Sequence, residues 1–331
     1  MSGITRREFL QRSGATAAIM ATAKVAPAEP VRPKAADPTS ADTVTLGQTG
    51  LQLSRLGLGT GSQGGQVQRD LGQAGFTRLV RHAFDRGIRY FDVADAYRTH
   101  VLLKPAIKDL PREELFIQTK IGSRDAKQTD QILDRFRQEL GTDYLDSVLM
   151  HCMQKADWPE TLKPMQDALS KAKQKGIIRA HGVSCHGLPG LSGASRSDWV
   201  DVGLVRINPQ GKHVDGVEGK WDEPGDVEKA LVHIRKMHAA GKGVIGMKIF
   251  GSGSFTDPAD REKSIRFAMG LDCLDAVVIG FASPDEIDEA IQQIDAAEVR
   301  CVRIKPFLEP RIAIEAQYGE AVNGGQPDLR S

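Results

Sequence analysis

The sequence predicts an α/β protein whose folded part is one (β/α)8 TIM barrel with an N-terminal β-hairpin. Three observations predict it. From residue 43 onward, eight short apolar runs alternate with longer amphipathic stretches, the order that builds parallel βαβ units. Polar residues close those runs in register, at the strand ends where a barrel presents its chemistry. The chain's 331 residues accommodate a barrel of about 250 residues plus extra termini. A doubly wound sheet is the competing architecture, but its fingerprint is missing. Gly57, Gly59 and Gly61 are spaced G-x-G-x-G rather than G-x-G-x-x-G, and no acidic residue ends a second strand at the required distance.

Residues 1–28 read as a twin-arginine signal peptide. Arg6 and Arg7 precede Phe9-Leu10, and a weakly apolar, small-residue stretch runs from Gly14 to Val25. Ala21-Thr22-Ala23 and Ala26-Pro27-Ala28 both offer small-x-small cleavage sites. The apolar run is too short to span a bilayer, so no stable span is expected after processing. The expectation is export by the twin-arginine translocon to the periplasm. Residues 29–42, rich in Pro, Ala and Ser, read as a linker.

The barrel is expected over residues 43–310, followed by a tail at 311–331. Thr43–Leu46 and Leu51–Ser54, split by Gly47-Gln48-Thr49-Gly50, predict the hairpin. Barrel strands are predicted at Leu56–Gly59, Arg89–Phe91, Leu115–Thr119, Ser147–Met150, Arg179–Val183, Asp201–Arg206, Gly243–Met247 and Ala276–Ile279. Helices are predicted at Phe76–Arg86, Thr129–Leu140, Trp158–Lys175, Asp226–Ala240 and Pro284–Ile294. In the third of these, Leu162, Met165, Leu169 and Ala172 recur at three- to four-residue spacing, one face of a helix.

Composition narrows the function. Lys and Arg number 44 against 43 Asp and Glu, a balance that argues against a nucleic-acid binder, which carries a basic stripe. Cys152, Cys185, Cys273 and Cys301 contain no CxxC pair and spell neither a disulfide framework nor a familiar zinc site. No metal is expected on that basis.

The polar strand ends are the informative feature. Asp92 follows Tyr90-Phe91, Lys120 follows Phe116–Thr119, and His151 follows Val148-Leu149-Met150. Ser184, Asn208 and Lys248 close the next three runs the same way. One polar strand end means little; six in register are hard to explain by packing.

With these residues in place, the chain resembles the aldo-keto reductase family, its exported branch, over about residues 43–300. The segment Val44–Gly59 is similar to the family's opening, and Gly87–Tyr97 to its Asp…Tyr motif. Thr119-Lys120 resembles the catalytic-lysine strand; Leu140–Asp146 leading to His151, and Gly176–Ser184, resemble the strands after it. The resemblance implies reduction of a carbonyl (aldehyde, ketone or sugar) by hydride from NAD(H) or NADP(H), or the reverse oxidation. A carbonyl that accepts hydride needs a proton at its oxygen. Tyr97 is the implied donor, and a phenol titrating near 10 needs help to work at neutral pH. Lys120 would lower that pKa as a neighbouring cation, Asp92 would hold Lys120 charged, and His151 would polarise the carbonyl. No cysteine-rich C-terminal cluster is present, so the iron–sulfur centre of some branches is not expected.

For the cofactor, the resemblance points to Ser184 at the nicotinamide amide, with Cys185 where the family usually has Asn. The family's amide-binding Gln aligns with Leu204, for which Arg206 and Asn208 are the substitutes. Lys248 and Gly251–Gly253 fit a pyrophosphate loop; Gly280, Ser283 and Glu286 fit the adenosine side. Glu286 stands where an arginine often grips a 2′-phosphate, and a carboxylate there favours NAD(H) over NADP(H). Cys152 and Cys185 are expected on neighbouring strand ends beside His186. A disulfide, a weak metal site with His213, or plain packing are the open readings. His100 is expected at the substrate mouth or on a solvated loop. The substrate is a small molecule, with specificity on loops such as Gln210–Glu223. The alternative functions are a metabolite-binding pseudo-enzyme on the same barrel and, more remotely, a non-redox lyase or isomerase.

Overall fold

A computed structural model describes residues 39–304 except residue 221, and of residues 298–304 the backbone alone. The signal peptide, most of the linker and the tail lie outside the described residues. Barrel packing reaches back into the expected linker. The Ser40 N–H donates to Asp295 Oδ1 at 2.7 Å, and the backbone N–H groups of Arg55 and Leu56 bond to the carbonyls of Asp42 and Ser40.

Ten strands are described: β1 (Thr43–Thr45), β2 (Gln52–Ser54), β3 (Leu56–Gly59), β4 (Tyr90–Asp92), β5 (Phe116–Ile121), β6 (Leu145–Met153), β7 (Ile178–Cys185), β8 (Val202–Arg206), β9 (Gly243–Met247) and β10 (Ala276–Gly280). The first two form an antiparallel hairpin. The remaining eight close into a parallel barrel in the order β10-β3-β4-β5-β6-β7-β8-β9. The predicted fold class is the observed one.

Successive side chains of a strand face opposite sides, and the barrel sorts them into two cores. Tyr90, Phe116, Leu149, Ala180, Val202, Leu204, Ile245 and Val278 fill the interior together with Leu46, Leu51 and Leu53 of the hairpin. The hairpin therefore stops the N-terminal end of the barrel. Its Gly47 turn sits against Lys242 and Gly243, with the Gln48 N–H donating to the Gly241 carbonyl at 2.8 Å. The opposite, C-terminal end stays open. Residues of the other parity, such as Leu58, Phe91, Ile117, Val148 and Val183, pack outward against the helices.

The boundaries differ from expectation for local reasons. The stretch Trp158–Lys175 is two helices, Trp158–Thr161 and Lys163–Gln174, broken at Leu162 (φ −104°, ψ 21°). Pro164 lacks the N–H that would continue the first helix, and proline restarts a helix at its first turn. The last helix runs Pro284–Ile304, beyond the expected Ile294. Helix Leu188–Arg196 is masked in the sequence by Gly190 and Gly193. A Cβ on Gly190 would fall 2.0 Å from the Met153 carbonyl oxygen, so glycine lets that helix lie directly on β6. Among the described residues no helix is long and apolar enough to cross a membrane.

Candidate active site

Period two puts the expected chemistry at the open end. Asp92, Lys120, His151, Ser184 and Arg206 each stand on the inward-facing parity of β4 to β8, above the interior core. Asp92 ends β4, whereas Lys120 and His151 lie inside longer strands than the sequence predicted. Lys120 is completely buried. Its Nζ donates to both carboxylate oxygens of Asp92 at 2.7 Å and to the Val93 carbonyl at 3.0 Å. Gln118, two residues below Lys120, donates to Asp92 Oδ1 at 3.0 Å and to the Tyr90 hydroxyl at 2.8 Å. Gln118 was not anticipated, although its place two residues before Lys120 on an inward face is the signal that identifies it.

Tyr97 comes from a 3-10 turn, Asp95–Tyr97, directly after β4. The turn is pinned by Arg135, which donates to both oxygens of Asp95 at 2.9 and 3.0 Å, and by Arg69, which donates to the Tyr97 carbonyl. Lys120 Nζ lies 4.8 Å from the centre of the Tyr97 ring, and the His151 ring meets the Tyr97 ring edge-on at 5.6 Å. Gly61 makes room for this: a Cβ there would fall 2.6 Å from Tyr97 Cζ and 2.9 Å from its hydroxyl.

The electrostatics follow from burial and these contacts. Burial works to lower the Lys120 pKa, but Asp92 and then Tyr97 outweigh it and hold the ammonium above its ordinary 10.5. Burial raises Tyr97 above 10; Lys120 pulls it down and Asp92 pushes it back up. The expected net lowering of the phenol pKa therefore does not hold, because desolvation outweighs the single cation. Burial, then Lys120, Arg124 and Lys248, push His151 down to about 3, so its imidazole is neutral near pH 7.

The structure distributes the remaining expected residues unevenly. Ser184 is buried at the barrel mouth, and its hydroxyl has no hydrogen-bond partner among the described residues. Cys185 is of outward parity and packs in the outer core, away from the cleft. Leu204 belongs to the interior core, while Arg206 is paired with the buried Asp215, Nε to Oδ1 at 2.7 Å. Asn208 is occupied by the loop. Its amide donates to the carbonyls of Lys212 and Lys248 and accepts from the N–H groups of Gln210 and Lys212. Lys248, at φ 62°, is lowered to about 8 by burial and then by Arg206 and Lys120. A groove of about 440 Å³ runs from Tyr97 past Lys248 and Gly253 to Gly280 and Glu286. Gly251 is buried at the turn beside it, and Arg261, which no sequence motif marks, lines its wall, paired with Glu289 at 2.8 Å. Ser283 and Glu286 form a reciprocal cap on helix Pro284–Ile304: the Glu286 N–H donates to Ser283 Oγ, and Glu286 Oε2 accepts from the Ala282 N–H at 2.7 Å. His100 is neither solvated nor at the mouth. It is buried under Phe136, with Nδ1 on Glu139 and Nε2 on Thr119, both at 2.8 Å. Cys152 and Cys185 are both free thiols.

A sequence model of the aldo/keto reductase family matches residues 55–270, most of the barrel. The chain belongs to the aldo/keto reductase family. Similar proteins include "Glycerol 2-dehydrogenase (NADP(+))" of Saccharomyces cerevisiae, 35% identical over 142 residues, 41% of each chain. "NADH-specific methylglyoxal reductase" of Escherichia coli is 29% identical over 166 residues, 43% of this chain and 51% of that one. The matched stretches thus span about half, or less, of these relatives' own length. A solved structure, a putative aldo-keto reductase from Pseudomonas aeruginosa, superposes with a TM-score of 0.65 at 24% identity, covering 78% of this chain and 96% of that one. That likeness supports the fold. The candidate site stands at the C-terminal mouth of the (β/α)8 barrel.

Proposed function

We propose that this aldo/keto reductase interconverts a small-molecule carbonyl and its alcohol with a nicotinamide cofactor, using Tyr97 as the proton donor. The observation that carries the reading is the Asp92–Lys120 pair set against the Tyr97 ring, with the ring of a neutral His151 meeting it edge-on. A phenol whose pKa lies above 10 keeps its proton at neutral pH, which suits a donor. As that proton moves to the carbonyl oxygen, Lys120 stabilises the phenolate left behind, and Asp92 keeps Lys120 charged. His151, being neutral, donates an N–H to the same oxygen and polarises it without giving up a proton.

The residues present fit a dinucleotide. Ser184 offers a buried hydroxyl in need of a partner, the match for a carboxamide. Gly280 leaves open a wall of the groove, since a Cβ there would fall 2.1 Å from Ser62 Oγ. Lys248, Gly251 and Ser252 supply a cation and a tight turn for a pyrophosphate. When bound, the nicotinamide supplies or accepts the hydride. NAD(H) is the preferred form in this reading: Arg261 is already paired with Glu289, and Glu286 lines the groove with a carboxylate that would repel a 2′-phosphate. The test is to titrate the purified protein with NADH and NADPH by fluorescence, then follow loss of reduced-nicotinamide absorbance with a panel of aldehydes, ketones and sugars. Tighter NADH binding and turnover of at least one carbonyl are expected. Tighter NADPH binding would place the phosphate on Arg261 or Lys248 and overturn the preference. Binding of neither cofactor, with no turnover across the panel, would favour a cofactor-poor metabolite-binding barrel, a reading that Cys185 in the outer core and Leu204 in the inner core support.

The twin-arginine segment is proposed to export the enzyme to the periplasm already folded, with its cofactor held. Replacing Arg6→Lys together with Arg7→Lys should leave precursor in the cytoplasm, and the purified barrel should remain active. Export of the double variant as efficient as that of the parent, measured by cell fractionation, would remove the reading.

A further inference from the structure

Cys152 and His186 take no part in the proposed reduction, yet the backbone is bent to bring Cys152 to the site. Neighbouring residues of a strand face opposite sides, so Cys152 should point outward when His151 points in. Instead the β6–β7 register shifts between Met150 and Met153, and Cys152 adopts φ 59°. Left-handed backbone at a β-carbon-bearing residue stores strain, which native structures keep where it serves a site. The result is that one ligand atom each from His151, Cys152 and His186 lies within 4.8 Å of the other two. The His151 and His186 rings meet edge to face at 6.0 Å.

We propose that His151, Cys152 and His186 form a three-ligand site for a thiophilic divalent cation, Zn²⁺ being the fitting case, with the fourth position open toward the barrel mouth. Around a tetrahedral zinc, N and S ligands stand about 3.3–3.6 Å apart, so closing the trio needs shifts of about 1 Å, within side-chain rotation. Two imidazoles and one thiolate are the donor set of zinc and other late transition metals. The surroundings sharpen the choice. Lys120, Arg124, Arg206 and Lys248 all act on these ligands. Lys120 and Arg206 are offset by Asp92 and Asp215, but a positive field remains. It excludes hard ions held by charge alone, such as Mg²⁺ or Ca²⁺. An ion with a strong bond to sulfur survives it, because the thiol gives up its proton and the thiolate offsets one charge. Cys185, which the sequence made the other candidate, lies in the outer core and contributes nothing.

Because the site takes His151, occupancy removes the group proposed to polarise the carbonyl. Metal binding is therefore a reversible off-state of the enzyme. The first measurement is independent of turnover: Co²⁺ is titrated into the reduced full-length protein, and the thiolate-to-cobalt charge-transfer band is read in the near ultraviolet. The expected result is a band at one equivalent of metal, displaced by Zn²⁺ and untouched by Mg²⁺. Cys152→Ser should abolish it, Cys185→Ser should retain it, and His186→Gln should weaken binding by more than the about 10–100-fold that loss of an outer-shell partner costs. Circular dichroism checks that each variant is folded; if Cys152→Ser is not, the His186→Gln and Cys185→Ser pair decides. Absence of the band in the parent protein, or its persistence in Cys152→Ser, would overturn the site. If the band appears but added Zn²⁺ leaves carbonyl turnover unchanged, the off-state is wrong while the site stands. If no carbonyl is turned over at all, the reductase reading fails and the metal site is still decided by the cobalt spectrum.

Discussion

Tyr97→Phe should lower kcat by about a hundred- to ten-thousand-fold, the usual worth of a positioned general acid, while cofactor affinity and thermal stability stay close to the parent values. The ring of Phe fills the same space beside Gly61 and His151, so only the hydroxyl is lost. KM should move little, because the hydroxyl acts on the carbonyl oxygen as charge develops and less in the ground state. Steady-state kinetics on the best carbonyl of the panel, with NADH binding and circular dichroism as controls, reads all three quantities. A kcat within a few-fold of the parent would remove Tyr97 as donor and pass the role to His151 or to water. The pH profile adds a second check. His151 is pushed down to about 3, so its protonation contributes no fall in rate between pH 5 and 8.

Much of this site is legible in the sequence because barrel topology ties chemistry to strand ends. Asp92, Lys120 and His151 could be placed from the apolar runs before them, and Lys120–Asp92 pairing follows from β5 lying beside β4. What was not legible depends on distant or irregular backbone. His100 looked like a loop residue because Pro105 disguises helix His100–Ile107. Its partners Glu139 and Thr119 come from elements that only the closed barrel brings near. Cys185 and Cys152 illustrate the limit in opposite senses. Strict alternation correctly sends Cys185 outward, but a β-bulge, which the sequence does not mark, turns Cys152 back to the site. The sign of the Tyr97 shift also escaped, since a motif records the neighbouring lysine but not how much water burial removes. The resemblance assigns cofactor roles to Glu286 by position and to Asn208 as a substitute for Leu204, yet each also closes a local backbone motif.

Lys120→Met should be the most damaging single change, acting on stability as well as rate. The ammonium is wholly enclosed and holds both oxygens of Asp92 at 2.7 Å. Methionine matches its length but leaves the Asp92 carboxylate in the barrel mouth with Gln118 as its one remaining side-chain partner among the described residues. Breaking a buried pair by removing one member costs about 3–5 kcal/mol. Turnover should fall at least as far as in Tyr97→Phe, since the phenolate loses the cation that lies against its ring. Two results separate the charge from mere packing. The double variant Asp92→Asn, Lys120→Met should recover much of the lost stability, because no uncompensated charge remains, yet recover no activity. The alkaline limb gives the other. The folded-state pKa of Lys120 is raised above 10.5. The stabilisation it provides is therefore complete below 10.5 and is lost as pH rises through the higher folded-state value. Chemical denaturation at several alkaline pH values should show that loss in the parent and not in Lys120→Met. If the single variant were as stable as the parent at pH 7, or the double variant no more stable than the single, Lys120 would be filling space rather than balancing Asp92. The electrostatic account of Tyr97 would then have to be given up with it.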